Sequence, residues 1–354
     1  MGTAREPGQE EEVGRARDIV AVANYTTMKF LVFSTVTLCL LAGCTSVSGT
    51  QQAVPSLVTS VATDGSTASM QTQGPAELVN LSYSDGSITV FAVQNGRAKV
   101  STRFTPGHGR AQGLAVDKSG RIYTTISSSN SNPCLACIEI FTPAGKMVRR
   151  VEAPILPSAP GPPSLTDISV DAHENVYVSD YGQQAVYFFH HGGNSGSPVI
   201  VVQNSNNAAS VLSTPNGTNV VVSGGCGFAS VRPYTRVGPG QYQPGSCFGI
   251  GTIALIGGSA DNQTEVLTPV DGVPALVSVS SPSGGASFTT PDRLASISGV
   301  ALSGDASIAY VANAHKQCVY VFARPSKGWI AGGQPKLLAT DKGFKNLDII
   351  AVRP

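Results

Sequence analysis

The sequence has few charged residues. Asp, Glu, Lys and Arg make up 13% of its 354 residues, against about 25% in an average soluble protein. The 23 Lys and Arg against 22 Asp and Glu leave a formal net charge of +1. The chain therefore has no basic field for nucleic acid and no acidic excess of the kind that keeps a chain disordered. We expect no nucleic-acid partner.

Long stretches rich in Glu, Lys and Ala, which favour helices, are also missing, and aromatic residues make up only 6% of the chain. Glycine (39) and proline (23) are abundant instead, well above the roughly 12% that average usage gives for the two together. A hydrophobic fraction of 41% is enough to fill a core. The composition therefore predicts an all-β protein with many turns.

The N-terminal region has the features of an export signal. Residues 1–27 carry an acidic run and no apolar period, whereas Met28 and a lysine are followed by the apolar stretch Phe30–Ala42. That stretch forms roughly 20 Å of helix, too short to cross a bilayer and typical of a signal peptide. It ends in Leu41–Cys44, which resembles the lipobox of bacterial lipoproteins. The resemblance implies that Cys44 carries acyl chains; an ordinary secretory signal with a chance cysteine is the alternative.

These features divide the chain into four parts. We expect a mis-assigned extension (1–27), a lipoprotein signal peptide (28–43), a lipidated flexible tether (44–77) and the folded domain (78–354). The tether is rich in Thr, Ser, Gln, Gly and Ala and cannot bury enough surface to offset its backbone entropy. The predicted location is the bacterial cell envelope, lipid-anchored and extracytoplasmic, facing the periplasm or the outside. The outer membrane or cell surface is preferred over the inner membrane, and the anchor makes the membrane a partner.

The folded region contains an internal repeat. Val176–Asp180 and Val186–Phe189 match Ala309–Asn313 and Val319–Phe322 at an offset of 133 positions without a gap. Residues 79–91 follow the same plan with one residue deleted. Alternation at period two and a polar loop between the runs predict paired antiparallel strands.

A shorter strand that ends in a turn precedes these pairs. Its copies are Gly113–Asp117, Asp167–Asp171, Ser210–Thr214 and Gly299–Ser303. The last residues are 54, 43 and 89 positions apart, and 89 is two steps of about 45. The spacing predicts a further copy near residue 258, where Gly251–Ile256 lies. A sixth copy, Asp348–Val352, has no partner strands behind it.

The strands at 78–105 lack a first strand, which Asp348–Val352 can supply. A C-terminal strand that completes the N-terminal sheet closes a ring and hides its edges. Together with the period of 40–50 residues, this predicts a six-bladed β-propeller closed by its C-terminal strand. Residues 177–189 and 310–313 also resemble NHL-type repeats, a likeness that covers about 78–354. A β-sandwich with accidental self-similarity is the alternative.

Five cysteines remain after the signal and Cys44, and an exported chain favours disulfides. Cys134 and Cys137 form a C-x-x-C in a loop; a local disulfide is preferred, with free thiols or redox or metal chemistry left open. Cys226 follows a second strand and Cys247 precedes the next first strand, and in a propeller these two loop types open on one face. We therefore predict a Cys226–Cys247 disulfide. Cys318 is expected to be a small buried hydrophobe.

The same face collects the long loops, including the proline-rich crossover Ala153–Pro163, and long loops on a rigid scaffold usually carry recognition. Candidates for this face or for the axis of the ring are Asp167, Asp180, Asn313, Asp348, Tyr83 and His315. Asp117 and Asp171 end strands at tight turns, where a turn-forming role is expected.

Two functions fit these residues. The preferred one is a binding module for a protein, peptide or glycan, with no cofactor. The alternative follows from the fold: six-bladed propellers include metal-dependent lactonases, and a hydrolase or lyase of that type would need calcium or another divalent cation at the axis. Hard cations require several oxygen ligands. Only two aspartates, Asp167 and Asp348, lie at the start of inner strands, which is a small ligand set for such an ion. Whether the chain is an enzyme stays open, with the balance against it.

Overall fold

The computed structural model describes residues 77–107, 109–127, 136–193, 195–203, 208–223, 226, 230–250, 257–270, 273–293 and 295–353. The predicted extension and signal peptide, Cys44 and the tether up to residue 76 lie outside these residues, as does Gly251–Ile256. In the described parts there is no α-helix and one 3-10 turn, His191–Gly193, and the other regular elements are β-strands. The predicted all-β class is confirmed.

The strands alternate with short turns along the whole described chain. In chain order they are β1 (Glu77–Leu81), β2 (Ile88–Gln94), β3 (Arg97–Phe104), β4 (Arg110–Val116), β5 (Ile122–Ser127), β6 (Ala136–Phe141), β7 (Met147–Glu152), β8 (Leu165–Val170), β9 (Val176–Asp180), β10 (Ala185–His190), β11 (Ser195–Gln203), β12 (Val211–Ser213), β13 (Asn219–Ser223), β14 (Ser230–Gly238), β15 (Gln241–Pro244), β16 (Phe248–Gly249), β17 (Ser259–Ala260), β18 (Val266–Pro269), β19 (Leu276–Ser281), β20 (Gly284–Thr289), β21 (Ile297–Leu302), β22 (Ile308–Asn313), β23 (Cys318–Ala323), β24 (Lys336–Lys342) and β25 (Ile349–Val352).

The strands pair in groups of four. The second group is β4–β7, the third β8–β11, the fourth β12–β15 with β16 added beside β14, and the fifth β17–β20. The remaining sheet has the order β21-β22-β23-β24-β3-β2-β1-β25. Within this sheet, the two halves are paired through a parallel bridge between Lys342 and Arg97. We call β25-β1-β2-β3 the first group and β21–β24 the sixth.

The C-terminal strand β25 pairs antiparallel with β1, with Leu81 opposite Ile349 and Leu78 opposite Val352. The strand pairs of the repeat also have the predicted register. Val178 pairs with Tyr187 in the third group, and Val311 pairs with Tyr320 in the sixth. Both positions differ by the offset of 133 seen in the sequence, so the match in sequence is a match in structure.

The innermost strands contact one another in sequence. β4 contacts β8, β8 contacts β12, β12 contacts β17, β17 contacts β21, β21 contacts β25, and β25 contacts β4. Glycine permits this approach at two places. A Cβ on Gly113 would lie 2.8 Å from Cα of Asp167, and one on Gly299 would lie 2.9 Å from the carbonyl oxygen of Asp348. A larger residue at either position would push neighbouring inner strands apart.

The core is divided into six hydrophobic clusters, one between each two successive groups. Val90 and Ile122 belong to the cluster between the first and second groups, and the next four join the second group to the third, the third to the fourth, the fourth to the fifth, and the fifth to the sixth. The sixth cluster joins the last group to the first and contains Tyr310, Phe91 and Val352. Four-stranded antiparallel groups packed face to face in this way form a propeller-like fold.

The inner strands end in turns that repeat one hydrogen-bond pattern. Oδ1 of Asp117 accepts the N–H groups of residues 119 and 121, at 2.8 and 2.9 Å. Oδ1 of Asp171 accepts those of residues 173 and 175, and Oδ1 of Asp261 those of residues 263 and 265. The turn-forming role predicted for Asp117 and Asp171 is confirmed. In the fifth group the equivalent residue is Asp261, a few positions beyond the expected place near 258.

Candidate functional site

Antiparallel alternation places four strand ends at one edge of each group. These are the start of the first strand, the end of the second, the start of the third and the end of the fourth, and we call this the entrance edge. Cys226 follows the second strand of the fourth group and Cys247 follows its fourth strand. The two cysteines form a disulfide with a Cα–Cα distance of 6.1 Å. The predicted bridge is confirmed, and so is the placement of both loop types at one edge.

Asp167 lies at the entrance edge, near the start of β8, and is buried. Its Oδ1 accepts the N–H of Ile168 at 2.9 Å, and its Oδ2 accepts the N–H of Val211, in the next inner strand, at 3.2 Å. Burial raises the pKa of this carboxyl to about 7, although the two N–H donors act in the opposite direction. The group can therefore gain or lose a proton near neutral pH, which is a property typical of functional sites.

Asp348 and Tyr83 connect the first group to the second. The N–H of Tyr83 donates to Oδ2 of Asp348 at 2.9 Å, and the N–H of Asp348 donates to Oδ1 of Asn80 at 2.8 Å. The Tyr83 hydroxyl donates to the Gln112 carbonyl at 3.2 Å, and the Arg110 guanidinium donates to the Tyr83 carbonyl. Tyr83 is half-buried. Both residues thus stabilise the junction at which β25 meets β1 and β4.

Asp180 and Asn313 are equivalent residues in the repeat, and both are used inside their own turns. Asp180 accepts the N–H groups of Ser164 and Gln183, at 2.8 and 3.0 Å, and the Gln183 side-chain amide, at 2.8 Å. Asn313 accepts the N–H groups of residues 315 and 316 and donates to the Tyr320 hydroxyl at 3.2 Å. Their polar atoms hold the turn between the second and third strands. His315 is exposed on the turn of Asn313.

The proposed cation cage has few ligands in the structure. Across the part of the chain that is described, no three His, Cys, Asp or Glu side chains come close enough to hold a metal ion. Asp167 and Asp348 belong to β8 and to the end of the crossover into β25, and both of these strands contact β4. Gly113 of β4 lies against the backbone of Asp167 and has no side chain to offer.

The crossover Ala153–Pro163 is fixed to the turn that follows β9. Oε1 of Gln183 accepts the N–H of Leu156 at 2.6 Å, and its Nε2 donates to the Pro154 carbonyl at 2.7 Å. Two large hydrophobic side chains stand out from this fixed surface: Ile155 is 71% exposed and Tyr181 is 51% exposed. The sequence indicated the crossover but not Gln183 or Tyr181. The gapless offset could have indicated Gln183, because it aligns this residue with Lys316 in the other copy of the repeat.

A cavity of about 130 Å³ lies between the inner strands of the groups. It touches all six inner strands through small side chains, among them Ala115, Ser169, Ser213, Ser259, Ala301 and Ala351. The Ser169 and Ser213 hydroxyls lie 2.8 Å apart. The cavity is located towards the ends of the inner strands, away from the entrance edge, and its lining offers hydroxyls but no charged group.

The other cysteines differ in how far the structure describes them. Cys318 is free and buried, which confirms the prediction of a small buried hydrophobe. Cys137 is buried in β6 and is disulfide-bonded, whereas Cys134 lies outside the described residues, so its pairing stays a prediction. No helix in the described ranges is long and apolar enough to cross a membrane.

Comparison with protein-family models gives no match, and comparison with curated proteins gives none either. Among solved structures, the chain is similar to a chain of a nidogen/laminin complex, with 13% identity, a TM-score of 0.51, and 78% of this chain and 98% of that chain covered. It is also similar to a functionally unknown protein from Desulfotomaculum acetoxidans (13%, TM-score 0.48, 78% and 84% covered). A virginiamycin B lyase from Staphylococcus aureus matches at 10% identity and a TM-score of 0.46, with 76% and 86% covered. At these identities the likeness concerns the fold alone.

Proposed function

We propose that the chain is a six-bladed β-propeller closed by β25, and that it binds a protein, peptide or glycan through the entrance edge. The closed ring is supported by the cycle of contacts between inner strands and by the hydrophobic cluster shared by the sixth and first groups. Each four-stranded group is then one blade. A closed ring gives a rigid support for the loops at the entrance edge.

Deleting residues 346–354 tests the closure. The deletion removes β25, including the buried side chains of Ile349, Ile350 and Val352, each worth about 1.5–3 kcal/mol. Since folded domains are stable by only some 5–15 kcal/mol, the truncated chain should aggregate or unfold at a much lower temperature. Removing the tether up to residue 74 is the control and should change the melting temperature little. A truncated chain as stable as its parent would contradict the closed ring.

One observation carries the binding proposal: Ile155 and Tyr181 are exposed on a surface that hydrogen bonds hold in place. Aromatic side chains on a preorganised surface give contact area at small entropic cost, and tyrosine is enriched among the residues that dominate binding energy. The buried carboxyl of Asp167 and the polar junction at Tyr83 lie at the same edge. In this proposal Ile155 and Tyr181 supply the apolar part of the interface and polar groups of the same edge supply its rim, as in many recognition sites.

Paired variants test this surface. Ile155→Ser with Tyr181→Ala removes both exposed side chains, and Met147→Ser with Val148→Ser removes two exposed side chains of the outer strand β7 as a control. Each chain is immobilised and exposed to envelope extract and to peptide and glycan arrays. We expect the parent and the control to retain the same ligand and the first variant to lose it. Equal retention by all three chains, or retention by none, would contradict the proposal.

We further propose that the protein is an extracytoplasmic lipoprotein of the bacterial cell envelope, anchored through Cys44, with the outer membrane or cell surface preferred over the inner membrane. This proposal is supported by the apolar stretch and by the lipobox resemblance of Leu41–Cys44. A Cys44→Ser chain expressed in a bacterial host should lose its acyl chains and its membrane fraction. Unchanged membrane partition of that variant would overturn the anchor. Starting translation at Met28 should give the same mature mass as the full sequence.

A further inference from the structure

A second cavity lies at the entrance edge of the sixth group, away from the surface proposed above. Its volume is about 490 Å³. Four lining residues form a square on one face of the sheet, since Cys318 pairs with Lys342 and Tyr320 pairs with Thr340 across β23 and β24. The rest of the lining comes from the segments around it: Asp292, Lys316, Gln317, Gly343 and Phe344.

The third group shows how the equivalent space is closed elsewhere in the chain. At the offset of 133, Gln183 corresponds to Lys316 and Ala185 to Cys318. Gln183 is 1% exposed, and its side chain connects the turn to the crossover before β8. The Lys316 side chain is 54% exposed and contacts the crossover before β21 through Asp292, at 3.8 Å. Lys316 therefore does not fill the space that Gln183 fills in the third group, and a cavity remains.

The lining of this cavity has a definite chemistry. Its back is apolar and aromatic, because Tyr320, Cys318 and Phe344 are buried. Its rim carries two ammonium groups, on Lys316 and Lys342, against one carboxylate. A long and partly exposed ion pair, such as that between Lys316 and Asp292, contributes little to stability. An incoming anion can therefore replace Asp292 as the partner of Lys316. Positive charge above an aromatic wall favours a ligand with an anionic head and an apolar body.

We propose that this cavity binds a small organic carboxylate with an apolar or aromatic body, whose carboxylate lies between Lys316 and Lys342 and whose body packs on Tyr320 and Phe344. The site is formed by one blade and its two adjoining crossovers. It depends neither on Ile155 and Tyr181 nor on Asp167. The site and the binding function proposed above can therefore stand or fail separately.

The test uses 1-naphthoate as the probe and 1-naphthamide as its uncharged equivalent, titrated calorimetrically into the full chain. We expect saturable binding of one naphthoate per chain and at least tenfold weaker binding of the amide, because the charge-assisted hydrogen bonds to the lysines are lost. Lys342→Ala and Lys316→Ala should each weaken naphthoate binding about tenfold. Lys336→Ala, at the opposite end of β24 and outside the lining, is the matched control and should leave it unchanged.

A variant whose side chain fills the cavity distinguishes binding at this site from nonspecific binding. Thr340→Tyr places a ring in the cavity and should abolish binding of both probes, and its melting temperature shows whether the chain still folds. If it does not fold, the lysine variants alone decide, because both side chains lie at the rim. The proposal is overturned if naphthoate does not bind saturably up to about 1 mM, if the amide binds as tightly as the acid, or if Lys342→Ala binds as tightly as Lys336→Ala.

Discussion

The third group (β8–β11) and the sixth group (β21–β24) share the register of their second and third strands, yet they differ at the turn between those strands. In the third group Gln183 fixes the preceding crossover to the turn. In the sixth group Lys316 occupies the same place, and a cavity opens behind it. In both groups a backbone hydrogen bond joins the turn to the preceding crossover, from Tyr181 to Ser164 and from Ala314 to Ser296. The side chain at the position of Gln183 and Lys316 decides whether the space behind the turn is filled.

The two groups also differ at the start of their first strand. Asp167 pairs with Ser179 in the third group, and Gly299 pairs with Ala312, the equivalent of Ser179, in the sixth. The same backbone position thus carries a buried acid in one copy and no side chain in the other. Because the glycine permits close approach to Asp348, its absence of a side chain serves packing. The acid instead accepts the N–H of Val211 in the next inner strand, at the cost of a buried carboxyl whose pKa is raised.

The largest expected effect is that of Asp167→Asn on the pH dependence of the free energy of unfolding. The folded-state pKa of about 7 lies above the ordinary 3.8, so between these values the folded chain binds more protons than the unfolded chain. The stability contributed by this group is complete below about pH 4 and is lost as the pH rises through 7. A shift of this size corresponds to about 4 kcal/mol. Urea unfolding at pH 5 and pH 8 should therefore differ less in the variant than in the parent.

Part of the parent's pH dependence will remain in that variant. Burial also raises the pKa of Asp261, to about 6, against the opposing effect of the Arg324 guanidinium. A variant whose stability falls between pH 5 and pH 8 as steeply as that of the parent would show that Asp167 does not titrate in this range.

The next effect compares the two turns directly. Asp180→Ala removes the acceptor for two backbone N–H groups and for the Gln183 amide, all in a buried place. Each buried group left without a partner costs about 1–3 kcal/mol, and we expect a loss of about 3 kcal/mol. Asn313→Ala should cost about half as much, because its turn is open to water. Urea unfolding of both variants measures the difference, and equal losses would contradict the comparison.

A smaller effect is expected from a substitution at Gly182, two residues after Asp180. A Cβ on Gly182 would lie 2.0 Å from the carbonyl oxygen of Pro162, so Gly182→Ala must displace the crossover and should cost about 2 kcal/mol. His315 occupies the equivalent position, and because it is exposed, His315→Ala should change stability by less than about 0.5 kcal/mol. A thermal melt of each variant is sufficient. A neutral Gly182→Ala would mean that the crossover is not held on this turn.

Long strands with strict alternation were predictable from the sequence, and short ones were not. β9, β10, β22 and β23 alternate over five or six residues and repeat without a gap, and the structure has them where the pattern indicates. The described first strand of the fifth group is β17, which has only two residues. Such a short segment has no period of its own, and the added strand β16 in the fourth group disturbs the regular spacing before it.

The candidate site was predictable in its location but not in the roles of its residues. The disulfide and the long loops depend on strand direction, which the alternation of antiparallel strands already determines. Asp180 and Asn313 are different, because a carboxylate or amide at the end of a strand can point to the axis or accept the N–H groups two or three residues ahead. The nearer donors are used here. Sequence spacing does not distinguish these two directions.

The smallest effect concerns the residues behind the two turns. Ala185 is fully buried in the closed copy and Cys318 is its equivalent beside the cavity. Ala185→Cys adds a sulfur atom where no cavity is available and should cost about 1 kcal/mol. Cys318→Ala removes a sulfur that already borders open space, so few contacts are lost and the cost should be smaller still. If the order is reversed in urea unfolding, the sixth copy is as tightly packed as the third, and the difference between their turns has no consequence for packing.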